Sequence, residues 1–328
     1  MEYYESGSTD PHFNLALEDH LFSGMDPEKD YLMLWQNANA VIVGRFQNTA
    51  AELNAGFIRD NKIDVVRRLS GGGAVYHDLG NLNYTFIRRG REAKVFDFSF
   101  FTKPLIDTLA AYGVKAELSG RNDVTVYGRK ISGNAQYGKA GRVMHHGTIL
   151  LSSDLTVLAN ALRVSGDKIQ GKGISSVRSR VANLDEFIDG VTVDGFKSAF
   201  IEQLDRTESV HKRDFTGEDI ARATKLQREK YDLWEWNYGS SPPYTVEKTR
   251  RIENFGRIEL YLRIEKGRLV SFHSHGDYFG NEDLSALVSR LHGCRMEESA
   301  LREALRGIDV GDFYRNLSND AFISLMVD

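Results

Sequence analysis

The chain has 328 residues, 42 of them basic and 46 acidic, and a formal net charge of −4 at pH 7. This balance argues against general nucleic-acid binding, and no apolar run approaches the roughly 20 residues that cross a bilayer. A single cysteine, Cys294, excludes an internal disulfide, and the N-terminus lacks a signal-peptide pattern, so we expect a cytoplasmic protein without a membrane partner.

Hydrophobic periodicity predicts an alternation of helices and strands as far as residue 231. Helical spacing of apolar residues predicts helices over 13–22, 102–112, 154–162, 194–204 and 217–231. Short apolar runs predict strands over 31–35, 40–44, 63–67, 73–77, 82–88, 115–118, 124–127, 130–136 and 142–151. This mixture of strand meanders and strand–helix units indicates an α+β fold.

The C-terminal part of the chain reads as a separate unit. Paired prolines in Ser240-Ser241-Pro242-Pro243 end one element and stiffen the connection to the next. A hairpin over 257–265 and 269–274 follows, with a turn at Lys266-Gly267, and then short helices to Val327. We therefore expect a larger domain over 1–245 and a small one over 246–328.

Three consecutive glycines, Gly71 to Gly73, follow the pair Arg67-Arg68 at the end of a predicted strand. Without Cβ atoms their N–H groups can turn toward an anion, and arginines add charge and planar donors. The alternative is a glycine-rich hairpin with two solvated arginines. The loop lacks the Gly-Lys-Ser/Thr continuation of a P-loop, and the chain has no zinc-type Cys/His spacing.

The same segment, from Arg67 through His77-Asp78 to Gly80-Asn81, resembles the signature of the lipoate–protein ligase A family. Four further blocks resemble the family in the expected order. They are Arg121-Asn122-Asp123 with Gly128-Arg129-Lys130-Ile131-Ser132-Gly133-Asn134-Ala135, His145-His146-Gly147-Thr148, Lys172-Gly173-Ile174 through Leu184, and Trp234 through Pro242.

The resemblance implies the mixed sheet of the biotin and lipoate ligase fold, with helices packed on it and a small C-terminal α/β accessory domain. It also implies an ATP-dependent ligase that converts lipoate to lipoyl-AMP and transfers the lipoyl group to a lysine of an acceptor domain. The expected ligands are ATP, Mg²⁺ and lipoate. The expected partners are lipoyl-acceptor domains of 2-oxoacid dehydrogenase complexes and the glycine cleavage H protein, and no nucleic acid.

Lys130 is the candidate catalytic residue. On an alternating strand it would share a face with Ser132 and Asn134, where small side chains leave room for a ligand. On the residues alone, a surface lysine on an edge strand is the simpler interpretation. The resemblance assigns the family's essential lysine to this position, where its charge would stabilise the pentavalent phosphorus of the transition state.

The resemblance extends the predicted site to further residues. Contacts with the nucleotide, adenylate or acyl chain are expected for Arg68, Ser70, Gly71, Gly72, Gly73, Ala74, Val75, Tyr76, Asn81, Asn122, Asp123, Lys130, Ser132, Gly133, His146, Gly147, Lys172 and Arg180. Asp123 could hold Mg²⁺ or form a turn, and His146 could line the acyl slot or lie in the core. Lys172 and Arg180 could belong to a mobile lid over 168–180 or to a solvated loop. His77 is interpreted as a hydrogen-bonded structural histidine.

Two other functions remain open at this stage. An ATP-independent octanoyl or lipoyl transferase would need a nucleophilic cysteine, and Cys294 lies far from the motifs in sequence, where a small buried thiol is the simpler interpretation. A non-catalytic module that binds a lipoyl or nucleotide ligand would not need Lys130. Lipoate-dependent exchange of pyrophosphate into ATP separates the ligase from both.

Overall fold

The computed structural model describes residues 1–89, 97–120, 122–162, 180–241, 244–253, 255–276, 283–314 and 316–328. The predictions for Arg121, for Lys172 with most of its loop, and for Pro242-Pro243 lie outside these residues. The chain divides into two compact units, Met1–Arg45 with Lys62–Leu233, and Phe46–Asn61 with Trp234–Asp328. Among the described residues, no helix has the length and hydrophobicity to cross a bilayer.

Two sheets form the framework of the first unit. Its strands are β1 (Glu2–Glu5), β2 (Tyr31–Trp35), β3 (Ala40–Val43), β4 (Asp64–Arg67), β5 (Val75–His77), β6 (Asn81–Arg89), β7 (Ala116–Ser119), β8 (Asp123–Val126), β9 (Arg129–Lys139), β10 (Arg142–Leu150) and β11 (His211–Lys212). The large sheet has the order β11-β1-β2-β6-β10-β9-β8-β7, and the small sheet has the order β4-β3-β5. Strand β1 runs parallel to β2 and β11, whereas every pair of neighbours along the order β2-β6-β10-β9-β8-β7 is antiparallel. The predicted mixed sheet is confirmed.

The described helices of the first unit are Pro11–Ser23, Phe98–Ala111, Leu155–Ala161, Val193–Asp205 and Gly217–Leu226, with a π-helical continuation over Gln227–Tyr231 and a 3-10 turn at Leu184–Glu186. Side chains cap the N-termini of four of them: Asp10, Asp97, Thr192 and Thr216 each accept from an amide of the first turn. The second helix begins earlier than predicted because the Asp97 side chain accepts from the Phe100 amide at 3.2 Å.

The large sheet is covered on both faces, and the two faces differ in chemistry. Leu82, Tyr84 and Phe86 of β6 belong to an apolar core with residues of the helices Phe98–Ala111 and Val193–Asp205. The alternate residues Asn83 and Thr85 are buried on the opposite face. Polar side chains on the buried second face of a strand mark this face as the one that could carry a site.

The second unit has its own core. Its strands are β12 (Tyr244–Ile252), β13 (Gly256–Glu265) and β14 (Arg268–Gly276). Its helices are Thr49–Glu52, Ala55–Asp60, Ser285–Leu291, Glu298–Ala304 and Asn319–Val327, with a π-helical turn at Glu235–Gly239 and a 3-10 turn at Val310–Asp312. Alternate residues of β13 from Ile258 to Ile264 are buried in an apolar cluster with residues of the C-terminal helices. The predicted turn has Lys266 and Gly267 at φ +50° and +71°.

The sequence did not predict every element. It missed β1, β11, β12 and the helices Thr49–Glu52 and Ala55–Asp60. It also missed that 46–61 groups with the second unit, where Thr49 Oγ1 donates to the Asn237 carbonyl at 2.7 Å.

Candidate active site

A pocket in the first unit is formed by residues of both sheets. Its lining is Leu15, Trp35, Ile42, Arg68, Gly72, Gly73, Ala74, Val75, His77, Asn83, Asn122, Lys130, Gly133, Asn134, Ala135, His146, Gly147 and Thr148. Among these lining residues, Ile42, Val75 and His77 belong to the small sheet, and Gly72 to Ala74 belong to the glycine loop. Arg68 directly follows β4. The large sheet supplies most of the others.

A row of side chains crosses the large sheet under this pocket. Trp35 of β2 lies opposite Asn83 of β6, and Asn83 lies opposite Thr148 of β10. Thr148 Oγ1 accepts from the Gly133 amide of β9 at 3.2 Å, and Gly133 is in register with Asp123 of β8. Because neighbouring strands lie about 4.8 Å apart, Trp35 and Gly133 are separated by three strand spacings, about 14 Å.

The glycine loop closes around its own arginine. Arg68 Nη2 donates to the carbonyls of Gly71 and Gly73, each at 2.8 Å, and Gly72 adopts a φ of +95°. A Cβ on Gly44 of the neighbouring segment would collide with the Gly72 carbonyl oxygen. Glycine is therefore required at Gly72 for its backbone angle and at Gly44 for close approach.

Both arginines before the loop are buried, so the alternative with two solvated arginines is wrong. Arg67 Nη1 donates to the carbonyls of Gly44 and Arg45. Arg68 also donates from Nε to Ser70 Oγ at 3.0 Å and from Nη1 to the Ile42 carbonyl at 3.1 Å. Burial lowers the pKa of Arg68 to about 10, which leaves it charged at neutral pH.

Lys130 lies at the β8–β9 end of the pocket. Its ammonium is 2.8 Å from Asp123 Oδ1, and the two side chains are 33% and 36% exposed. The Lys130 amide donates to the Arg180 carbonyl at 2.8 Å, and the Lys130 carbonyl accepts from the Ala182 amide at 2.9 Å. The backbone of Arg180, which ends the predicted lid, is thus paired directly with the candidate catalytic residue.

A β-bulge changes which residues share a face with Lys130. Thr125 is in register with Lys130, but the preceding Val124 is in register with Ser132. The extra residue shifts the alternation, so the expectation that Lys130 and Ser132 share a face is wrong. Ser132 is fully buried, and its hydroxyl oxygen accepts from Asn134 Nδ2 at 3.3 Å.

Gly133 provides the space for the Lys130 side chain. A Cβ on Gly133 would lie 2.7 Å from both Cε and Nζ of Lys130 and 3.9 Å from Asp123 Oδ1. The lysine therefore extends across Gly133 toward Asp123. The space left by the missing side chain at residue 133 is filled by the end of Lys130, so Gly133 determines where the Lys130 ammonium lies.

Asp123 is a single carboxylate in this setting. No group of three or more histidine, cysteine or acidic side chains that could hold a metal occurs among the described residues. The Lys130 ammonium already pairs with one of its oxygens. These residues fit a magnesium ion only where phosphate oxygens supply most of its ligands, which is the usual manner of Mg²⁺ binding.

His146 is held by a buried network on the pocket face of the large sheet. Its Nδ1 lies 2.8 Å from Glu18 Oε1, and its Nε2 lies 2.6 Å from Ser70 Oγ. Thr85 Oγ1 donates to the same carboxylate oxygen at 2.7 Å and accepts from Trp35 Nε1 at 3.0 Å. Since a carboxylate only accepts, Nδ1 carries the proton and Ser70 donates to Nε2 in the neutral ring.

His77 is hydrogen-bonded, in agreement with its structural interpretation, but it also lines the pocket. Its Nδ1 lies 3.1 Å from Asn37 Nδ2, and its ring meets that of Trp35 edge-on, with centroids 6.1 Å apart. Burial, together with the nearby Arg68 and His146, lowers the pKa of His77 to about 3. The imidazole is therefore neutral throughout the physiological range.

The pocket brings together part of the predicted set. The predicted residues that line it are Arg68, Gly72, Gly73, Ala74, Val75, Asn122, Lys130, Gly133, His146 and Gly147. Other predicted residues support it from behind or beside it: Ser70, Gly71, Tyr76, Asn81, Asp123, Ser132 and Arg180. Asn81 Nδ2, for example, donates to Asn83 Oδ1 at 2.9 Å, and a side chain on Gly147 would collide with Asn134.

The pocket lining also includes residues that the sequence did not single out as ligand contacts. They include Leu15, Trp35, Ile42 and Asn83, and Glu18 lies behind them. Their only sequence signal is position: Trp35 ends a predicted strand, and Asn83 interrupts an apolar one. Their assembly depends on strand order, which neither pattern reveals.

Two family models match the chain. The lipoyl protein ligase A/B catalytic domain matches residues 10–205, and the bacterial lipoate protein ligase C-terminus matches residues 241–326. The first match alone covers more than half of the chain, so the chain belongs to the lipoyl protein ligase A/B family, and the family expected from the sequence is confirmed.

Individual proteins that are similar to this chain are lipoate-protein ligases, in agreement with the family match. The chain is 41% identical over 321 residues to lipoate-protein ligase LplJ of Bacillus subtilis, covering 97% of each chain. An archaeal bi-partite lipoate protein ligase from Thermoplasma acidophilum, described with its E2 lipoyl domain, gives a TM-score of 0.67 at 29% identity, over 75% of this chain and 98% of that chain. A structure of lipoate-protein ligase A bound with ATP gives 0.62 at 27% identity, over 73% and 97%. The chain is an enzyme of the ligase class.

Proposed function

We propose that this chain is an ATP-dependent lipoate–protein ligase that forms lipoyl-AMP and transfers the lipoyl group to a lysine of an acceptor lipoyl domain. The observation that carries the proposal is the pocket across four strands, with the Lys130 ammonium at one end and Trp35 at the other. Its span of about 14 Å suits an extended eight-carbon acid with a contact at each end. A cytoplasmic location is part of the same proposal.

In the first step, a carboxylate oxygen of lipoate attacks the α-phosphorus of ATP, and the bond to pyrophosphate breaks. Negative charge gathers on the phosphoryl oxygens as the new P–O bond forms. The Lys130 ammonium, released from Asp123 to these oxygens, stabilises that charge more than it stabilises the bound substrates. The backbone from Gly72 to Tyr76 is proposed to hold the phosphates, with Arg68 keeping the loop in shape.

In the second step, the neutral amine of the acceptor lysine attacks the acyl carbon of lipoyl-AMP. The C–N bond forms, the bond to the AMP oxygen breaks, and the amine loses a proton. Lys130 can polarise the carbonyl oxygen in this step as well. Acceptor lipoyl domains of 2-oxoacid dehydrogenase complexes and the glycine cleavage H protein are the proposed partners, and nucleic acids and membranes are not.

Magnesium belongs to this proposal through the nucleotide. Asp123 would contribute one carboxylate oxygen, and the phosphates of ATP would contribute most of the remaining ligands. When bound, the ion would neutralise charge on the phosphate oxygens. Asn122, whose Nδ2 donates to the Asn134 carbonyl at 2.6 Å, holds the start of β8 against β9, and so orients Asp123 beside Lys130.

The rival transferase lacks a suitable nucleophile. Cys294, the one cysteine, follows the helix Ser285–Leu291 in the second unit and is partly buried against that unit's core. Burial raises the pKa of its thiol, although Arg268 and Arg290 oppose the shift, whereas a nucleophilic cysteine has a lowered pKa. The match of residues 241–326 to the C-terminus of bacterial lipoate protein ligases also favours the ligase.

Lipoate-dependent exchange of labelled pyrophosphate into ATP is the direct test. The ligase should catalyse it without any acceptor protein, because formation of the adenylate is reversible. Neither an ATP-independent transferase nor a binding module should do so. Absence of exchange from a folded protein that binds both ligands would overturn the proposal.

We also propose a division of labour between a catalytic domain over 1–245 and an accessory domain over 246–328. The residues assigned to adenylation all precede 245, so a chain that ends there should still transfer from supplied lipoyl-AMP but should form it poorly from lipoate and ATP. Because residues 46–61 group with the second unit, the truncation also removes most of the surroundings of this segment, among them Glu298, the exposed partner of Arg59. Equal effects on the two half-reactions, in a truncated chain that remains folded, would contradict the division.

A further inference from the structure

Two buried side-chain nitrogens of residues that line the pocket, His77 Nε2 and Asn83 Nδ2, have no hydrogen bond within the described part of the chain. His77 Nε2 is buried and is not paired with any of the described residues, while the opposite ring nitrogen, Nδ1, is paired with Asn37. His77 as a whole is 4% exposed and lines the pocket. A buried polar atom on a pocket wall points to a ligand atom as its partner.

The neighbouring amides determine whether this nitrogen is a donor. Asn14 Nδ2 donates to the backbone carbonyls of Ser8 and Gln36, at 2.9 and 2.8 Å, which fixes the orientation of that amide. Asn37 Oδ1 lies 3.0 Å from the same nitrogen, so Asn37 presents its Nδ2 to the His77 ring. His77 Nδ1 must then accept, and the proton of the neutral ring is on Nε2.

The donor lies at the end of the pocket opposite Lys130. His77 ends β5, in register with Ala40 of β3, and its ring contacts Trp35. Trp35 is three strand spacings, about 14 Å, from Gly133, across which the Lys130 side chain extends. An acid whose carboxylate meets Lys130 therefore brings the far end of its chain to His77.

We propose that His77 is a specificity-determining residue whose Nε2–H donates to a sulfur of the dithiolane ring, so that the enzyme selects lipoate over octanoate. This inference rests on the proposed function. Lipoate and octanoate have the same carboxylate and the same number of carbon atoms, and they differ at the end that meets His77. Sulfur is a weak acceptor, but a saturated chain offers none and leaves the buried donor unsatisfied. A binding site discriminates strongly against a substrate that leaves one of the site's buried polar groups without a hydrogen bond.

The test compares two variants of one residue. His77→Phe removes the donor and keeps a planar ring, whereas His77→Gln keeps an N–H at a similar distance from the backbone. The measured quantity is kcat/KM for pyrophosphate exchange with lipoate divided by that with octanoate. We expect this ratio to fall about 10-fold in His77→Phe, the equivalent of one buried donor left without its partner, and to be largely retained in His77→Gln.

A spectroscopic measurement on the unsubstituted protein covers the case in which a variant does not fold. Long-range proton–nitrogen spectra of histidine-labelled protein should show the His77 ring protonated at Nε2. Lipoate should shift that resonance, and octanoate should leave it nearly unchanged.

The outcomes separate the two proposals. An unchanged ratio in folded His77→Phe, or a ring protonated at Nδ1, would overturn the proposed role of His77. If exchange with both acids persists, the proposed ligase function still stands. A protein without lipoate-dependent exchange would instead contradict the proposed function itself.

Discussion

Gly133→Ala should separate catalysis from stability in this enzyme. A Cβ at residue 133 would lie 2.7 Å from Cε and Nζ of Lys130, so the end of the lysine must move by about 0.8 Å to reach an ordinary contact distance. That end is flexible and about one-third exposed, so its displacement costs little. The same movement carries the ammonium away from the place that the bulged strand gives it.

The substitution should leave the stability of the fold nearly unchanged but should lower the rate of catalysis. Gly133 does not have a positive φ, and replacing a strand glycine with alanine reduces the entropy of the unfolded chain, which favours folding by about 0.5 kcal/mol. The Lys130–Asp123 pair is exposed enough that weakening it costs at most about 0.5 kcal/mol. A charge displaced by nearly 1 Å from a developing oxyanion should slow adenylation about 10- to 100-fold.

Pyrophosphate exchange and thermal unfolding measure these effects in the same preparation. Gly217→Ala is the matched control, because a Cβ there meets nothing within 4 Å in the same unit. We expect the control to retain exchange and Gly133→Ala to lose it at an unchanged or slightly higher melting temperature. Normal exchange in Gly133→Ala would show that the observed place of the ammonium is not the one that catalysis requires.

Three further variants test other parts of the site. Lys130→Ala should abolish exchange without unfolding the protein, and Lys130→Arg should not restore it, because a broad guanidinium does not replace a compact ammonium; near-normal exchange in Lys130→Ala would reject the catalytic assignment. Gly73→Ala should weaken ATP binding in calorimetry more than lipoate binding, since a Cβ there meets nothing within 4 Å and can obstruct only a ligand; equal or absent effects would count against the phosphate loop. Cys294→Ser should keep full transfer to an acceptor domain, and a trapped acyl-cysteine in the unsubstituted protein would favour the transferase.

The sequence predicted six of the eight strands of the large sheet because their patterns are local. The strands 31–35 and 142–151 differ from β2 and β10 by at most one residue, since each is a short apolar run bounded by turn residues. The strand β1 was missed because Glu2-Tyr3-Tyr4-Glu5 is too short and too charged to read as a core strand. Its burial comes from parallel pairing with β2, a contact that is not local in sequence.

The site was predicted in part for the same reason. Lys130, Gly72 and His146 belong to motifs that can be read along the chain, whereas Trp35 and Asn83 reach the pocket through strand order. The error at Ser132 arose from the β-bulge, because strict alternation holds only in a regular ladder. The sequence of β9 alone does not predict that bulge, because the bulge depends on how β9 pairs with β8.

The bulge has a chemical consequence for the proposed reaction. It turns Lys130 onto the face that bears Gly133, where a side-chain-free residue lets the lysine extend toward Asp123. The carboxylate keeps the ammonium near the pocket without burying it, and the backbone bonds to Arg180 and Ala182 hold the lysine's own main chain. Because the pair is exposed, moving the ammonium from Asp123 to a phosphate costs little, and most of its interaction with the phosphate is available to stabilise the transition state. A buried Lys–Asp pair at the same distance would resist that transfer, so partial exposure of Lys130 favours catalysis.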